Sequence, residues 1–548
     1  MKTQQKQSLL IIILFLIFWS CANVVTPEGG SKDETPPEPL EFIPENYSTN
    51  FTGNLISIKF KDYIQLNDVF NQVLISPPPE IAPDFKVKGK TLLVNFNSPL
   101  KESTTYTINF GQAIKDITEG NSLENFSYVF STGNELDSLE VSGKISDLFT
   151  GMIPKSVYAV LYLAENDSAF LNSKPYYFSK ADASGNFSIK NIREGHYNLY
   201  ALEDQNFNYY YDLPNENIAF QPEELSIDSS IKNQKLKVFS EDKIRQYLTE
   251  IKSPGIGETR MIFLKNAKDV IINYTGENAE NGFFIHNKGN DTIIYWNSNY
   301  TLTTHSFSIQ YDTTTLTKTV EVKQPAEGTD FLASKNTFTS NLPIQKTGKT
   351  SEWDLNKTIR LQFAHPVAAL DTASISIIED SLTTYHPQLL IDSIDARIIN
   401  VPFSWKESAH YQIIIPQNIV TDIFGLRNDS MRTAFYTKAK TDYSKLSVNI
   451  TNHTGHPIIF QLLSADQKTI FTTVYAPLES FTNDQYKIEM PFLVPGIYKL
   501  KAIVDADNNH VWTTGNFMEK KFPEAVYFFP VDQNVRANWE NEIDWVLE

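Results

Sequence analysis

A chain of 548 residues is too long for one hydrophobic core, and its length points to roughly three to five domains. The formal net charge of −18 argues against non-specific nucleic-acid binding and against an electrostatic hold on anionic lipid. The single cysteine, Cys21, excludes a disulfide within the chain and thiolate zinc or iron–sulfur sites.

Residues 1–20 have a basic start with Lys2 and Lys6, then an apolar run from Leu9 to Trp19, then Ser20 before Cys21. This is the layout of a secretory signal, and the run falls short of the roughly 20 residues needed to span a bilayer. With the only cysteine at the end of the run, the segment resembles a bacterial lipoprotein signal. Phe18-Trp19 depart from that family's usual leucine and small residue. The resemblance implies that Cys21 is acylated and becomes the first residue of the mature protein. Residues 21–39 are polar and rich in Pro and Gly, as in an extended tether. Their Ser31-Lys-Asp-Glu34 resembles the export tags of Bacteroidetes surface lipoproteins, which implies an outer-membrane location with exposure at the cell surface.

Between 40 and 134, Leu55-Ile-Ser-Ile-Lys-Phe60, Thr91-Leu-Leu-Val-Asn-Phe96 and Tyr106-Thr-Ile-Asn-Phe110 alternate apolar and polar residues, and Phe126-Ser-Tyr-Val-Phe130 follows. Such short alternating runs, separated by turn clusters, predict a small β-sandwich. Ile56 to Phe60, Leu100-Lys-Glu-Ser-Thr-Thr-Tyr-Thr-Ile108 and Ile114-Lys-Asp-Ile-Thr-Glu-Gly-Asn121 resemble bacterial Ig-like domains of the SbsA type. Residues 135–235 place Leu139-Glu-Val-Ser-Gly-Lys-Ile145 and Val157-Tyr-Ala-Val-Leu-Tyr-Leu163 before Asp182-Ala-Ser-Gly-Asn-Phe187 and Gly195-His-Tyr-Asn-Leu199. That order resembles the transthyretin-like or carboxypeptidase-regulatory-like β-sandwich. Residues 236–345 carry more strand-like sequence of no recognisable family, and a short helix is expected near Ser240 to Leu248 with Ser240 as N-cap.

Both types then return. Thr358-Ile-Arg-Leu-Gln-Phe363, Glu407-Ser-Ala-His-Tyr-Gln-Ile413 and Ile419-Val-Thr-Asp-Ile-Phe-Gly425 repeat the Ig-like pattern over 346–440. Over 441–548, Gly496-Ile-Tyr-Lys-Leu-Lys-Ala-Ile-Val-Asp505 matches Gly195 to Asp204 at Gly, Tyr, Leu, Ala and Asp without a gap. Self-similarity of this kind means one unit built twice. The expected fold is therefore all-β: tandem Ig-like and transthyretin-like sandwiches in a multidomain rod.

After each "Tyr-x-Leu" strand comes Asp-x-Asx-x-Asn: Asp204, Asn206 and Asn208, then Asp505, Asp507 and Asn509. Oxygen side chains at alternate loop positions can converge on a hard cation, so calcium is the cofactor this pattern suggests. The calcium-loop pattern is partial, since Tyr209 and His510 stand where it has Gly, and Asn215 and Asn516 where it has Glu. The same residues also suit a turn in which Asp and Asn cap backbone N–H groups. Tyr209, Tyr210 and Tyr211, with Trp512 in the second copy, are candidates for stacking on a ligand, and equally for packing on the sheet. No His-Glu-x-x-His, Gly-x-Ser-x-Gly or phosphate-cradling loop is present, and His453-x-x-His456 has no evident third ligand.

These readings lead to a non-catalytic, lipid-anchored envelope protein that serves adhesion, ligand binding or scaffolding. Its expected partners are the membrane, through the anchor, and an envelope protein or glycan, with no nucleic acid. Two alternatives stay open: a glycan-binding accessory lipoprotein of a polysaccharide-uptake system, and a hydrolase with scattered catalytic acids.

Overall fold

The computed structural model describes residues 33–548 apart from 125, 165–168, 207, 244, 287–290 and 344–350. Cys21, the signal segment and the tether up to residue 32 lie outside the described residues. Strand accounts for 49% of the chain and helix for 4%, so the protein is all-β, as the alternating runs predict. The described residues divide into two compact units. One holds the chain up to Asp147 and Met152–Val238; the other holds Leu148–Gly151 and Phe239–Glu548.

The first unit begins with the Ig-like sandwich. One antiparallel sheet runs in the order Pro39–Ile43, Leu55–Phe60, Thr91–Asn95 and Asp84–Lys88. The other contains Leu74–Ser76, Thr105–Asn109 and Ser127–Ser131. Alternation sends Ile56, Ile58, Phe60, Leu92 and Val94 of the first sheet against Tyr106, Ile108, Tyr128 and Phe130 of the second. The end of the expected tether is docked rather than free. Pro37 is buried, and the Asn121 side chain donates to the carbonyls of Asp33 and Thr35.

The second sandwich of this unit pairs Tyr158–Leu163 antiparallel with both Tyr177–Lys180 and Gly195–Glu203. Leu139–Asp147 pairs antiparallel with Asn186–Ile192 and parallel with Ile231–Ser240. The core takes Tyr197, Leu199 and Ala201 from the repeated strand, together with Val141, Ile145, Phe187 and Ile189.

In the second unit, two antiparallel sheets form between Leu248 and Glu321. Their shared core contains Met261, Phe263, Tyr295, Phe307 and Ile309. The helix expected near Ser240 to Leu248 does not form. Ser240 ends the strand Ile231–Ser240, and Leu248 opens the strand Leu248–Lys252. Tertiary polar contacts outcompete the weak helical tendency of so short a segment. The Thr514 hydroxyl and the Phe517 N–H donate to the Ser240 carbonyl and the Glu241 carboxylate, and the Gln246 amide donates to the carbonyls of Lys265 and Asn266.

Phe338–Ser340 pairs with Ile359–Phe363 just as Pro39–Ile43 pairs with Leu55–Phe60. The strand Phe338–Ser340 therefore belongs with the second Ig-like sandwich. The duplication extends to single hydrogen bonds. The Lys101 N–H donates to the Tyr106 hydroxyl at 2.9 Å and the Lys406 N–H to the Tyr411 hydroxyl at 3.1 Å. Thr132 and Thr437 hydroxyls donate to the carbonyls of the same two lysines. The last sandwich repeats the pairing of its predecessor. Ile458–Ser464 lies between Ile470–Ala476 and Gly496–Val504, and Ser444–Asn452 lies between Gln485–Leu493 and the parallel Glu540–Leu547.

The core of the central region contains a titratable group. His305 is fully buried; the Thr259 hydroxyl lies 2.8 Å from its Nδ1, and its Nε2 has no partner. Burial pushes the imidazole down to about 4. The folded state thus keeps His305 neutral where the unfolded chain, titrating near 6.5, takes up a proton. Stability from this group is full above about pH 6.5 and falls as the pH drops toward 4. Calorimetry of the full chain should show thermal stability declining over that window, and His305→Leu should flatten the decline. An unchanged profile in the variant would contradict the burial of a neutral imidazole.

Candidate functional site

The repeated strand delivers the same loop twice. In Gly195–Glu203, Tyr197, Leu199 and Ala201 face the core, and in Gly496–Val504 Tyr498, Leu500 and Ala502 do the same. The Tyr197 hydroxyl donates to the Arg193 carbonyl at 3.0 Å, and the Tyr498 hydroxyl to the Val494 carbonyl at 2.6 Å. The strand entering each loop is thereby fixed by the same tyrosine bond.

Each loop is built around its first aspartate. Asp204 accepts from the N–H groups of Asn208 (3.3 Å) and Tyr209 (2.8 Å). Asp505 accepts from those of Asn509 and His510, both at 3.0 Å. Asn208 and Asn509 then accept from the N–H groups of Tyr210 and Val511, at 2.7 and 2.8 Å. The residue in the sixth position turns left-handed in both copies, with φ of 66° at Tyr209 and 67° at His510. A side chain there costs on the order of 1–2 kcal/mol, which the two hydrogen bonds to the aspartate offset.

A second acid faces the first across each hairpin. Glu203 pairs with Asn217, so the next rung sets Asp204 beside Glu216; Ile503 pairs with Val526, and two rungs on Asp505 meets Glu524. Glu216 accepts from the N–H groups of Gln205, Asp212 and Leu213 at 3.0–3.3 Å. Glu524 accepts from those of Ala506, Asp507 and Thr513 at 2.7–3.3 Å. Asp204, Asp505 and Glu216 are buried. Burial pushes the carboxyls of Glu216 and Glu524 up, and the backbone donors hold that rise in check. These two glutamates were not singled out in the sequence. The signal that marks them is position: each stands just ahead of the strand that returns beside the repeated one, in register with the aspartate.

The remaining candidates separate the two copies. In the second, Asp505, Asp507 and Glu524 bring carboxylate oxygens within 4.8 Å of one another, the only such group of three acids among the described residues. These three could hold a divalent cation. Asn509 serves the loop instead, donating to Asp507 at 3.0 Å and to the Thr513 hydroxyl at 2.7 Å. In the first copy Asn206 stands in place of Asp507, and Asn206 and Asn208 both donate to Asp212.

Two of the three rings in the tyrosine run are turned inward. Tyr209 and Tyr211 are each 3% exposed, so neither offers a ring face to a ligand. Tyr209 packs against Tyr158 and Phe178, and its hydroxyl donates to the Asn71 carbonyl of the Ig-like sandwich at 3.0 Å. Tyr211 stacks on Phe170. Half-buried Tyr210 lies between them in sequence, its N–H engaged by Asn208. In these rings the apolar surface at the sandwich junction outweighs exposure.

Trp512, by contrast, is half-buried at the edge of a cleft of about 580 Å³ that Glu241, Lys243, Lys268, Glu519 and Lys521 also line. Its ring packs on Phe149 with centroids 4.7 Å apart, and its indole N–H donates to the Glu524 carbonyl at 3.0 Å. Glu524 thus caps the loop with its carboxylate and holds the indole beside the cleft with its main-chain carbonyl.

Comparison with known proteins accords with this architecture. Residues 33–132 match the family model of a bacterial Ig-like domain, and residues 154–219 match that of polysaccharide lyase family 4, domain II. No curated protein matches the chain. Among solved structures, the bacterial S-layer protein rSbsC(31-844) is 11% identical with a TM-score of 0.14, covering 86% of this chain and 64% of its own. The N-terminal part of SbsC is 12% identical with a TM-score of 0.14, over 38% of this chain and 44% of its own. BcpA, the major pilin subunit of Bacillus cereus, is 10% identical with a TM-score of 0.15, over 75% and 99%. The chain therefore spans about half to two thirds of the S-layer chains it is similar to. The all-β chain carries a bacterial Ig-like domain over residues 33–132, followed by an fn3-like domain over residues 154–219.

Proposed function

We propose that this chain is a non-catalytic protein of the cell envelope, held to the outer membrane by acylated Cys21 and acting in adhesion, ligand binding or scaffolding. The observation that carries the reading is the duplication itself. An Ig-like sandwich followed by a second sandwich type occurs twice, with the same strand pairing and the same loop caps. Repeating a stable module multiplies presenting loops without requiring a reacting centre. A single acyl chain binds only marginally, so anchoring calls for the several chains of a lipoprotein N-terminus. Cys21→Ala should move the protein from the membrane fraction to the soluble fraction of cells that express it; continued membrane association would refute the anchor.

A second reading, glycan binding, is favoured by the Trp512 cleft, where one fixed indole adjoins charged hydrogen-bonding side chains. The similarity of residues 154–219 to a domain of a polysaccharide lyase family points the same way. A glycan array should then detect binding by the native chain that Trp512→Ala lowers at least about tenfold, the loss of roughly 1.4 kcal/mol. No binding on the array, or equal binding by the variant, would remove this reading.

We propose calcium as the ion that the second loop would take, supported by Asp505, Asp507 and Glu524, whose mutual repulsion a divalent ion would relieve. Millimolar calcium should raise the melting temperature of the native chain by a few degrees, and Asp507→Asn should abolish the rise. The absence of any shift in the native chain would identify the loop as a purely hydrogen-bonded turn.

A further inference from the structure

Within the first unit, an apolar groove of about 520 Å³ opens beside the single helical turn Val69–Gln72. Its walls include Val73, Ile75 and Phe85 of the Ig-like sandwich and Phe178 of the second sandwich. Pro78, Pro79, Pro83 and Pro175 also line it, and their fixed φ angles make the walls stiff before anything binds. Phe70 stands at the rim with 78% of its surface exposed, an uncommon position for a phenylalanine. The junction beneath is fastened by Tyr209, whose hydroxyl bond to Asn71 anchors the helical turn and whose ring packs on Phe178.

One cation reaches into this apolar setting. Lys174 is half-buried, with its ammonium 5.2 Å from the centroid of the Phe70 ring. Among the described residues no carboxylate pairs with it, although the chain holds 65 acids to 47 bases. The one acid lining the groove, Asp84, is turned to Lys86 at 3.9 Å. Burial lowers the pKa of Lys174, the sign of an ammonium short of solvent. An anion brought in by a ligand would supply a counter-charge, while one cation alone suits one negative charge.

We propose that the groove binds a small amphiphile with an alkyl body and a single carboxylate, the carboxylate pairing with Lys174 Nζ and the body lying across Phe70, Phe85 and Phe178. The selectivity is for both features together: an apolar body of opposite charge is repelled at Lys174, and a polyanion finds no second cation.

The test is isothermal titration of the full chain with decanoate below its micellar range, using decyltrimethylammonium as the opposite-charge control. Decanoate should bind saturably at one site and decyltrimethylammonium should not. Lys174→Met, which keeps the apolar stem, should weaken decanoate binding about tenfold, and Phe70→Ala should weaken it as well, with both variants melting as the native chain does. Three results would overturn the proposal: no saturable decanoate binding, equal binding by Lys174→Met, or equal binding of the cationic control. A peptide with an apolar C-terminal residue that binds where decanoate fails would make the groove a peptide site and overturn it too.

Discussion

The arrangement on which the repeated sandwich depends is a pair of acids facing each other across a hairpin. Placing Asp204 beside Glu216, and Asp505 beside Glu524, costs desolvation, and the charges of Asp212 and Asp507 push the two glutamates the same way. Backbone N–H groups offset that cost, with two donors for each aspartate and three for each glutamate. Hydrogen bonds to charged acceptors contribute about 1.5–3 kcal/mol each, so the loop is held in one conformation by acids that would otherwise favour opening it. The left-handed turns at Tyr209 and His510 accompany this geometry, with the fifth and sixth N–H groups aimed at the aspartate.

With the loop backbone fixed, its outer side chains can diverge without loss of the fold. The first copy turns Tyr209 and Tyr211 inward and uses Tyr209 to fasten the fn3-like sandwich to the Ig-like one. The second replaces Tyr209 with His510, which stacks on Tyr475 at 4.0 Å, and places Trp512 beside an open cleft. It also replaces Asn206 with Asp507, completing a group of three carboxylates. One copy has become a joint and the other a surface, from the same strand and the same cap.

Much of this was legible in the sequence, and the parts that were not share a cause. Ile56-Ser-Ile-Lys-Phe60 and its counterpart at 359–363 announce their sheet by alternation, a local signal that burial enforces. The ungapped match of Gly195 to Asp204 with Gly496 to Asp505 reveals the duplication for the same reason: every matched residue but the final aspartate sits on one strand. Glu216 and Glu524 escaped notice because the chain distance from each aspartate differs, and only strand pairing makes them equivalent. The helix expected after Ser240 failed where Glu241 and Gln246 bond to residues far along the chain. For the tyrosines at 209–211 the sequence left stacking on a ligand and packing on the sheet both open, and contacts with Tyr158, Phe178 and Phe170 bury Tyr209 and Tyr211. Local pattern therefore gave the elements, and contacts between distant segments decided the site.

The claim that buried acids lock both loops is tested most directly by amide hydrogen exchange of the full chain, read on peptides that span residues 204–216 and 505–524. The account predicts slow exchange at the amides of Tyr209 and His510, comparable to those of the flanking strands and far slower than in other exposed loops. Fast exchange at both positions would show that the carboxylates do not hold the loops, and would contradict the account.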